Sequence, residues 1–158
     1  MPTFVKGNLW DEVGRADLIL VTANSTLNSR GELVMGKGAA LEAKQRYPWL
    51  PGEAGRAIRA KGGSGTYYGA LAFPPRLDAP DTDIGILQVK IHWHEPARLS
   101  LIELSLKGLA ETSIHYTRIA LNFPGIGAGQ LNREDVLPLL ECLPDNVFIY
   151  EPEATQNA

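Results

Sequence analysis

The chain has 158 residues, with 18 acidic and 15 basic side chains for a net charge of −3, and 44% of it is hydrophobic against 21% charged. A chain near this length buries roughly two-thirds of its unfolded surface, which allows one complete core, and the balance argues against fibrous, collagenous or disordered classes. The acidic excess argues against duplex DNA binding through a broad cationic face, while one cysteine, no charged leader and a longest apolar run of only Leu18 to Ala23 point to a cytoplasmic protein without a membrane span.

In chain order, Thr3 to Lys6 is a short strand, and Asp17 to Ala23 (DLILVTA) is nearly continuous in apolar residues, as in a strand covered on both faces. Gly36 to Tyr47 carries helix formers behind a small-residue start and is stopped by Pro48. Gly52 to Lys61 reads as a second short helix. Gly62, Gly63 and Gly65 then turn the chain into a strand over Thr66 to Phe73, ended by Pro74 and Pro75. After a polar loop at Asp78 to Asp83, Ile84 to Ile91 is the next strand. Pro96 opens an amphipathic helix whose apolar positions are Leu99, Ile102, Leu106 and Leu109.

The clearest unit is the last: strand Arg118 to Phe123, loop PGIGAGQL, a helix over Asn132 to Leu143 with Asn132 as N-cap, and strand Asn146 to Tyr150. No repeat of 20 to 50 residues occurs. The alternation predicts one three-layer α/β domain with a parallel or mixed central sheet over residues 1–152, and a flexible polar tail over 153–158.

Of the 16 glycines, those of Gly36-Lys37-Gly38 and Gly125-Ile126-Gly127-Ala128-Gly129 fall between a strand and a helix start. Ligands of open α/β sheets bind at such strand ends. Glycine lets the main chain approach a ligand and turn N–H groups inward, and a helix start adds partial positive charge, so two such loops together point to a diphosphate. Neither is a P-loop, which needs four residues between its glycines and a Lys-Ser/Thr pair. A Rossmann unit closed by Glu151 is disfavoured because GIGAG runs G-x-G-x-G, which lacks the helix-packing glycine of G-x-G-x-x-G. His92 and His94 share a two-residue spacing, but no cysteine or carboxylate completes a tetrahedral zinc site, and with His115 they read as surface residues, His92 or His94 serving alternatively as a proton shuttle beside Lys90. Trp93 and Cys142 read as packing residues, with base stacking the alternative for Trp93.

Gly7-Asn8-Leu9, VTANS (Val21 to Ser25), VMGKGAALEAKQRYP (Val34 to Pro48), LQVKIHW (Leu87 to Trp93) and NFPGIGAGQLNREDVLPLL (Asn122 to Leu140) together resemble a macrodomain. Within that superfamily the chain is most similar to the branch of terminal ADP-ribose glycohydrolases and the antitoxin macrodomains that reverse ADP-ribosylation of DNA. The resemblance implies a three-layer α/β/α fold with a mixed sheet and an ADP-ribose cleft at the strand ends. It places Gly7, Asn8 and Leu9 at the adenine, although the family usually has aspartate where Asn8 stands. It places Asn24 at the distal ribose. Met35, Gly36, Lys37, Gly38 and Ala39 fall in the first phosphate loop, and Pro124, Gly125, Ile126, Gly127, Ala128, Gly129 and Gln130 in the second. Tyr150 and Glu151 fall near the adenosine.

The resemblance further implies Lys90 as a nucleophile on the distal ribose, with Asn24 orienting the sugar. A lysine suits this chemistry when burial or a nearby cation lowers its pKa. Strand alternation puts Lys90 on one face with Gln88 and His92. Glycohydrolases of the branch also use an acid in the second loop, where this chain has Gln130 and Asn132 and no carboxylate before Glu134. That departure favours either the DNA-directed branch or a module that binds ADP-ribose without cleaving it; hydrolysis of small ADP-ribose esters is a third alternative. No cofactor or metal is expected. The partner is ADP-ribose or an ADP-ribosylated DNA or protein, and the length points to a stand-alone monomeric macrodomain.

Overall fold

The computed structural model describes residues 1–78 and 80–153; most of the expected C-terminal tail, 154–158, lies outside them. Six strands form one sheet in the order β1-β6-β5-β2-β4-β3. These are β1 (Thr3–Lys6), β2 (Leu18–Ala23), β3 (Ala70–Phe73), β4 (Asp83–Gln88), β5 (Ile119–Asn122) and β6 (Val147–Glu151). β3 runs antiparallel to β4 and the other pairings are parallel, so the sheet is mixed.

β2 lies at the centre, with Leu18 paired to both Asp83 and Ile119. Its residues Leu18 to Val21 are at most 1% exposed, and burying each such side chain contributes about 1.5–3 kcal/mol. Ile19 and Val21 join the core under α1 (Gly38–Arg46) and α2 (Leu50–Lys61), which supply Ala40, Ala43, Leu50, Ala54 and Ile58. Leu18 and Leu20 face the second core, under α3 (Leu99–Thr112), where Ile102, Leu106 and Leu109 pack with Val136 and Leu140. Two cores on opposite faces of one sheet make the three layers that the alternation predicts. The carboxyl ends of β1, β2, β4, β5 and β6 all open at one edge.

Several boundaries differ from expectation, each for a local reason. β3 begins at Ala70, because Gly69 sits at φ +76 and breaks the extended chain before it. Gly85 of β4 lets β3 close in: a Cβ there would lie 2.2 Å from the Leu71 carbonyl oxygen. In α3 the buried stripe is Leu101, Ile102, Ser105, Leu106 and Leu109, while Leu99 is exposed at the helix start. The expected helix over 132–143 is a short α4 (Arg133–Val136) followed by 3-10 turns over Leu137–Cys142. Pro138, with no N–H to donate, ends the α ladder there. Asn132 holds the N-cap position in extended backbone but makes no capping bond. Cys142 is exposed, and the buried positions of this segment belong to Leu140 and Leu143.

Candidate functional site

Where the strand ends converge, a cleft of about 980 Å³ opens. β2 supplies Thr22 and Ala23 and then Asn24; the chain after β4 supplies Val89 and Lys90; β5 supplies Asn122 and then Phe123; β6 supplies Tyr150; and the turn after β1 supplies Gly7, Asn8 and Leu9. Thus segments more than a hundred residues apart meet at one edge because parallel strands place all their carboxyl ends on the same side.

Two loops flank this floor. In the first, α1 begins at Gly38, with Lys37 in extended backbone and making no side-chain cap. The first N–H groups of an α-helix have no partner inside it, so those of Gly38, Ala39 and Ala40 border the cleft that their residues line. In the second, Gly127–Gly129 forms a 3-10 turn, closed by bonds from Gly129 N to the Ile126 oxygen (3.3 Å) and from Gln130 N to the Gly127 oxygen (3.0 Å). Among the described residues, the N–H groups of Ile126, Gly127 and Ala128 have no protein acceptor. Both loops therefore present main-chain donors suited to anionic oxygens.

Gly125 shows why this loop needs glycine. Its φ is +81, and a Cβ would come within 2.6 Å of Ile102 Cδ1 in α3. Gly125→Ala is expected to cost at least about 1–2 kcal/mol from the left-handed backbone alone, a fall in Tm of roughly 2–8 °C by calorimetry.

Lys90 lies two residues past the end of β4, half-buried. Its neighbours fix the main chain there: Val89 N donates to the Ala23 oxygen (2.9 Å), and Ser25 N to the Ile91 oxygen (2.9 Å). Among the described residues Lys90 has no ion-pair partner. Burial, and after it the like charge of Lys37, holds the Lys90 amine below the usual lysine range. Gln88, which alternation puts on the same face, is instead buried: its Oε1 accepts from Tyr68 N (2.8 Å) and its Nε2 donates to the Thr66 oxygen (3.1 Å). The strand pleat has ended before Lys90, so period-two reasoning no longer governs it.

Asn24 is 6% exposed and held from both sides, its Nδ2 donating to the Val34 oxygen (3.0 Å) and its Oδ1 accepting from Thr26 N (2.8 Å). At the opposite end, Asn8 Oδ1 accepts from Trp10 N (3.0 Å), capping the 3-10 turn Leu9–Glu12. With that oxygen engaged, its Nδ2 supplies the remaining donors. Tyr150 packs over Gly7, where a Cβ would sit 3.9 Å from its Cε2, and its hydroxyl donates to buried Glu12.

Four sequence-predicted positions do not line the cleft. Met35 is packed in the core under α1, Pro124 is buried, and Gln130 is exposed beyond the 3-10 turn, at φ 64. The Glu151 carboxylate is taken by Arg133, at 2.8 and 2.9 Å, which holds it below the usual carboxylate range despite burial. Conversely, Asp11, Thr22, Val34, Ala40, Glu42, Val89, Asn122, Phe123, Pro152 and Glu153 line the cleft without having been singled out for it, and Trp93, read as a packing residue with base stacking as the alternative, lines it too. Asn122 was detectable as a polar residue ending an apolar strand; its Oδ1 accepts from Thr22 N (2.9 Å) and its Nδ2 donates to Thr22 Oγ1 (2.9 Å). Trp93 is half-exposed at the rim rather than packed. Among the described residues, no group of three or more His, Cys, Asp or Glu is placed to hold a metal ion.

No protein-family model matches the chain. The DNA ADP-ribosyl glycohydrolase of Mycobacterium tuberculosis (strain ATCC 25618 / H37Rv) is 30% identical over 154 residues, which cover 92% of this chain, and the chain spans 43% of that relative's length. The macrodomain of Thermus aquaticus DarG matches with a TM-score of 0.77 and 26% identity over 98% of each chain. Thermosipho africanus DarTG in complex with ADP-ribose matches with a TM-score of 0.78 and 23% identity, over 99% of this chain and 43% of that one. A mixed sheet with a cleft at its carboxyl edge, matched at full length, gives the chain the macrodomain fold. Among macrodomains, it is related to those of DarG.

Proposed function

We propose that the cleft binds ADP-ribose and removes it from modified DNA, with Lys90 as nucleophile. The observation that carries this reading is the placement of a half-buried lysine, with its pKa lowered, in the same cleft as two loops of open main-chain donors. The relatives support the choice of substrate: the M. tuberculosis protein is named for DNA ADP-ribosyl glycohydrolysis, and the T. africanus structure is a complex with ADP-ribose. The two loops hold the diphosphate, the Gly7 to Leu9 turn and Tyr150 border the adenosine, and Asn24 orients the distal ribose.

The chemistry then follows from the amine. Neutral Lys90 Nζ attacks the anomeric carbon, the bond to the DNA base breaks, and the departing base takes the electron pair and a proton from water. The alkylated Nζ passes a proton to the ring oxygen, the ring opens as that carbon–oxygen bond breaks, and a protonated Schiff base is left between Nζ and the former anomeric carbon. Water adds to that carbon, the amine leaves, and free ADP-ribose recloses. Incubation with ADP-ribosylated thymidine-containing single-stranded DNA is expected to release ADP-ribose; no release at high enzyme rejects the reading.

The reading makes Lys37 a tuning residue. Lys37→Gln removes a like charge beside Lys90, so the amine titrates at higher pH. The kcat profile against pH, which rises as the ammonium loses its proton, is expected to move its acid limb to higher pH, with a weaker ADP-ribose affinity alongside.

A second reading, a module that binds ADP-ribose without turnover, is favoured by the absence of a carboxylate between Gly125 and Arg133. Calorimetry would show ADP-ribose binding in both cases, whereas only the hydrolase consumes modified DNA. Hydrolysis of small ADP-ribose esters in the same cleft is checked with the same enzyme. No helix among the described residues is long and apolar enough to cross a membrane, and the single cysteine fits a reducing compartment. On this reading the chain works as a cytoplasmic monomer without an obligate metal, and light scattering at its 17.2 kDa mass checks the monomer.

A further inference from the structure

The rim of the cleft beside Lys90 carries an aromatic cluster that the chemistry above leaves unused. Trp93 lines the same cleft as Lys90, belongs to neither core cluster and is 49% exposed. His94 meets it edge-on, with ring centroids 5.5 Å apart and planes at 74°, and His92 stacks on His94 at 5.9 Å.

The backbone beneath these rings is fixed. Ser25 donates to the Ile91 oxygen through both N (2.9 Å) and Oγ (3.0 Å), Trp93 N donates to Thr26 Oγ1 (3.0 Å), and Glu95 N closes a turn on the His92 oxygen (3.1 Å). The Glu95 carboxylate is paired with Arg98 at 3.0 Å. A large apolar ring is therefore held partly in water on a braced turn, with the nearest acid in sequence already neutralised. An aromatic ring exposed at a cleft mouth offers a face on which a base can stack.

We infer that Trp93, backed by His94, is the stacking platform for the nucleobase that carries the ADP-ribose. The inference rests on the reading that ADP-ribose is removed in this cleft: the group joined to the distal ribose then leaves past Lys90 and meets this rim. A nucleobase has a π-face to lay on the indole, and such stacking tolerates any base. A modified acidic side chain of a protein has no such face, so the rim favours a base over a peptide as the leaving group.

The test compares wild type, Trp93→Ala and Trp93→Phe on a single-stranded oligonucleotide ADP-ribosylated on thymidine, on an ADP-ribosylated protein, and on free ADP-ribose. Trp93→Ala is expected to raise KM for the oligonucleotide roughly tenfold, to leave the Kd for free ADP-ribose within about twofold, and to leave any protein cleavage unchanged; Trp93→Phe is expected to recover most of the loss. An unchanged oligonucleotide KM, or an equal loss on free ADP-ribose or on the protein, overturns the stacking role. Should wild type release nothing, the hydrolase reading fails, and the same comparison made as Kd for the uncleaved oligonucleotide still decides whether Trp93 stacks.

Discussion

Lys90→Ala is expected to lower the rate of ADP-ribose release by about a thousandfold or more, as loss of a nucleophile does, while ADP-ribose affinity stays within a few-fold. The separation follows from geometry. The main-chain donors of the two glycine loops, to which the proposed function assigns the diphosphate, belong to α1 and to the turn after β5 and owe nothing to the Lys90 side chain. The amine itself has no ion-pair partner among the described residues, so its removal leaves no buried charge stranded. Lys90→Arg sharpens the test. A guanidinium keeps the positive charge but stays protonated at any working pH, so it has no free electron pair with which to attack. The arginine variant is therefore expected to be as inactive as the alanine variant; substantial activity with arginine would assign Lys90 an electrostatic role instead. In wild type the rate is expected to rise with pH through the depressed lysine pKa, because the neutral amine is the reactive form.

The second large effect is on stability. Glu12 is fully buried, and both its oxygens are engaged by Arg118, through Nε and Nη2 at 2.7 Å each, with the Tyr150 hydroxyl donating as well. Arg118 in turn lies over the Phe148 ring at 3.6 Å. Burial works against the Glu12 charge, but Arg118 and Tyr150 outweigh it and hold the carboxyl below its usual range. Burial and then the Glu12 carboxylate push the Tyr150 hydroxyl up to about 12. Glu12→Ala leaves the guanidinium and the phenol without their shared acceptor, and breaking such a pair costs about 3 kcal/mol, the low end for buried pairs because Arg118 is partly exposed. For a domain of this size that is a Tm lower by roughly 6–12 °C. Because the folded carboxyl titrates below its unfolded value, its contribution is complete above roughly pH 4.3 and is lost as pH falls through the folded pKa. Thermal melts across that window are expected to show a smaller acid-induced loss in Glu12→Ala than in wild type. Since Tyr150 borders the cleft, the variant is also expected to bind ADP-ribose more weakly.

These two residues mark what sequence patterns can and cannot carry. β2 was readable because seven residues from Asp17 to Ala23 leave almost no polar position, and a strand buried on both faces has no other local signature. The glycine loops were readable because two of them stand between a strand end and a helix start, where main-chain N–H groups face a ligand. Glu12 and Arg118 lie 106 residues apart, and periodicity contains no term for that contact. The same holds for Arg133 and Glu151, whose pairing takes the acid out of the cleft to which the family resemblance assigned it. Trp93 failed in the opposite direction: burial is the ordinary expectation for an aromatic ring, and only the braced turn over Ile91 to Glu95 shows the rim holding it outward. The helix over 132–143 was overextended because its apolar spacing is helical, whereas Pro138 interrupts the hydrogen-bond ladder that spacing assumes.

On the proposed mechanism Lys90 becomes covalently joined to the distal ribose. Wild-type protein turning over ADP-ribosylated single-stranded DNA in the presence of borohydride tests it, because the reductant converts a Schiff base to a stable secondary amine. Peptide mass spectrometry is expected to find ADP-ribose on the peptide containing Lys90 and at no other lysine. DNA stripped of its modification while Lys90 remains unlabelled would rule out Lys90 as the nucleophile.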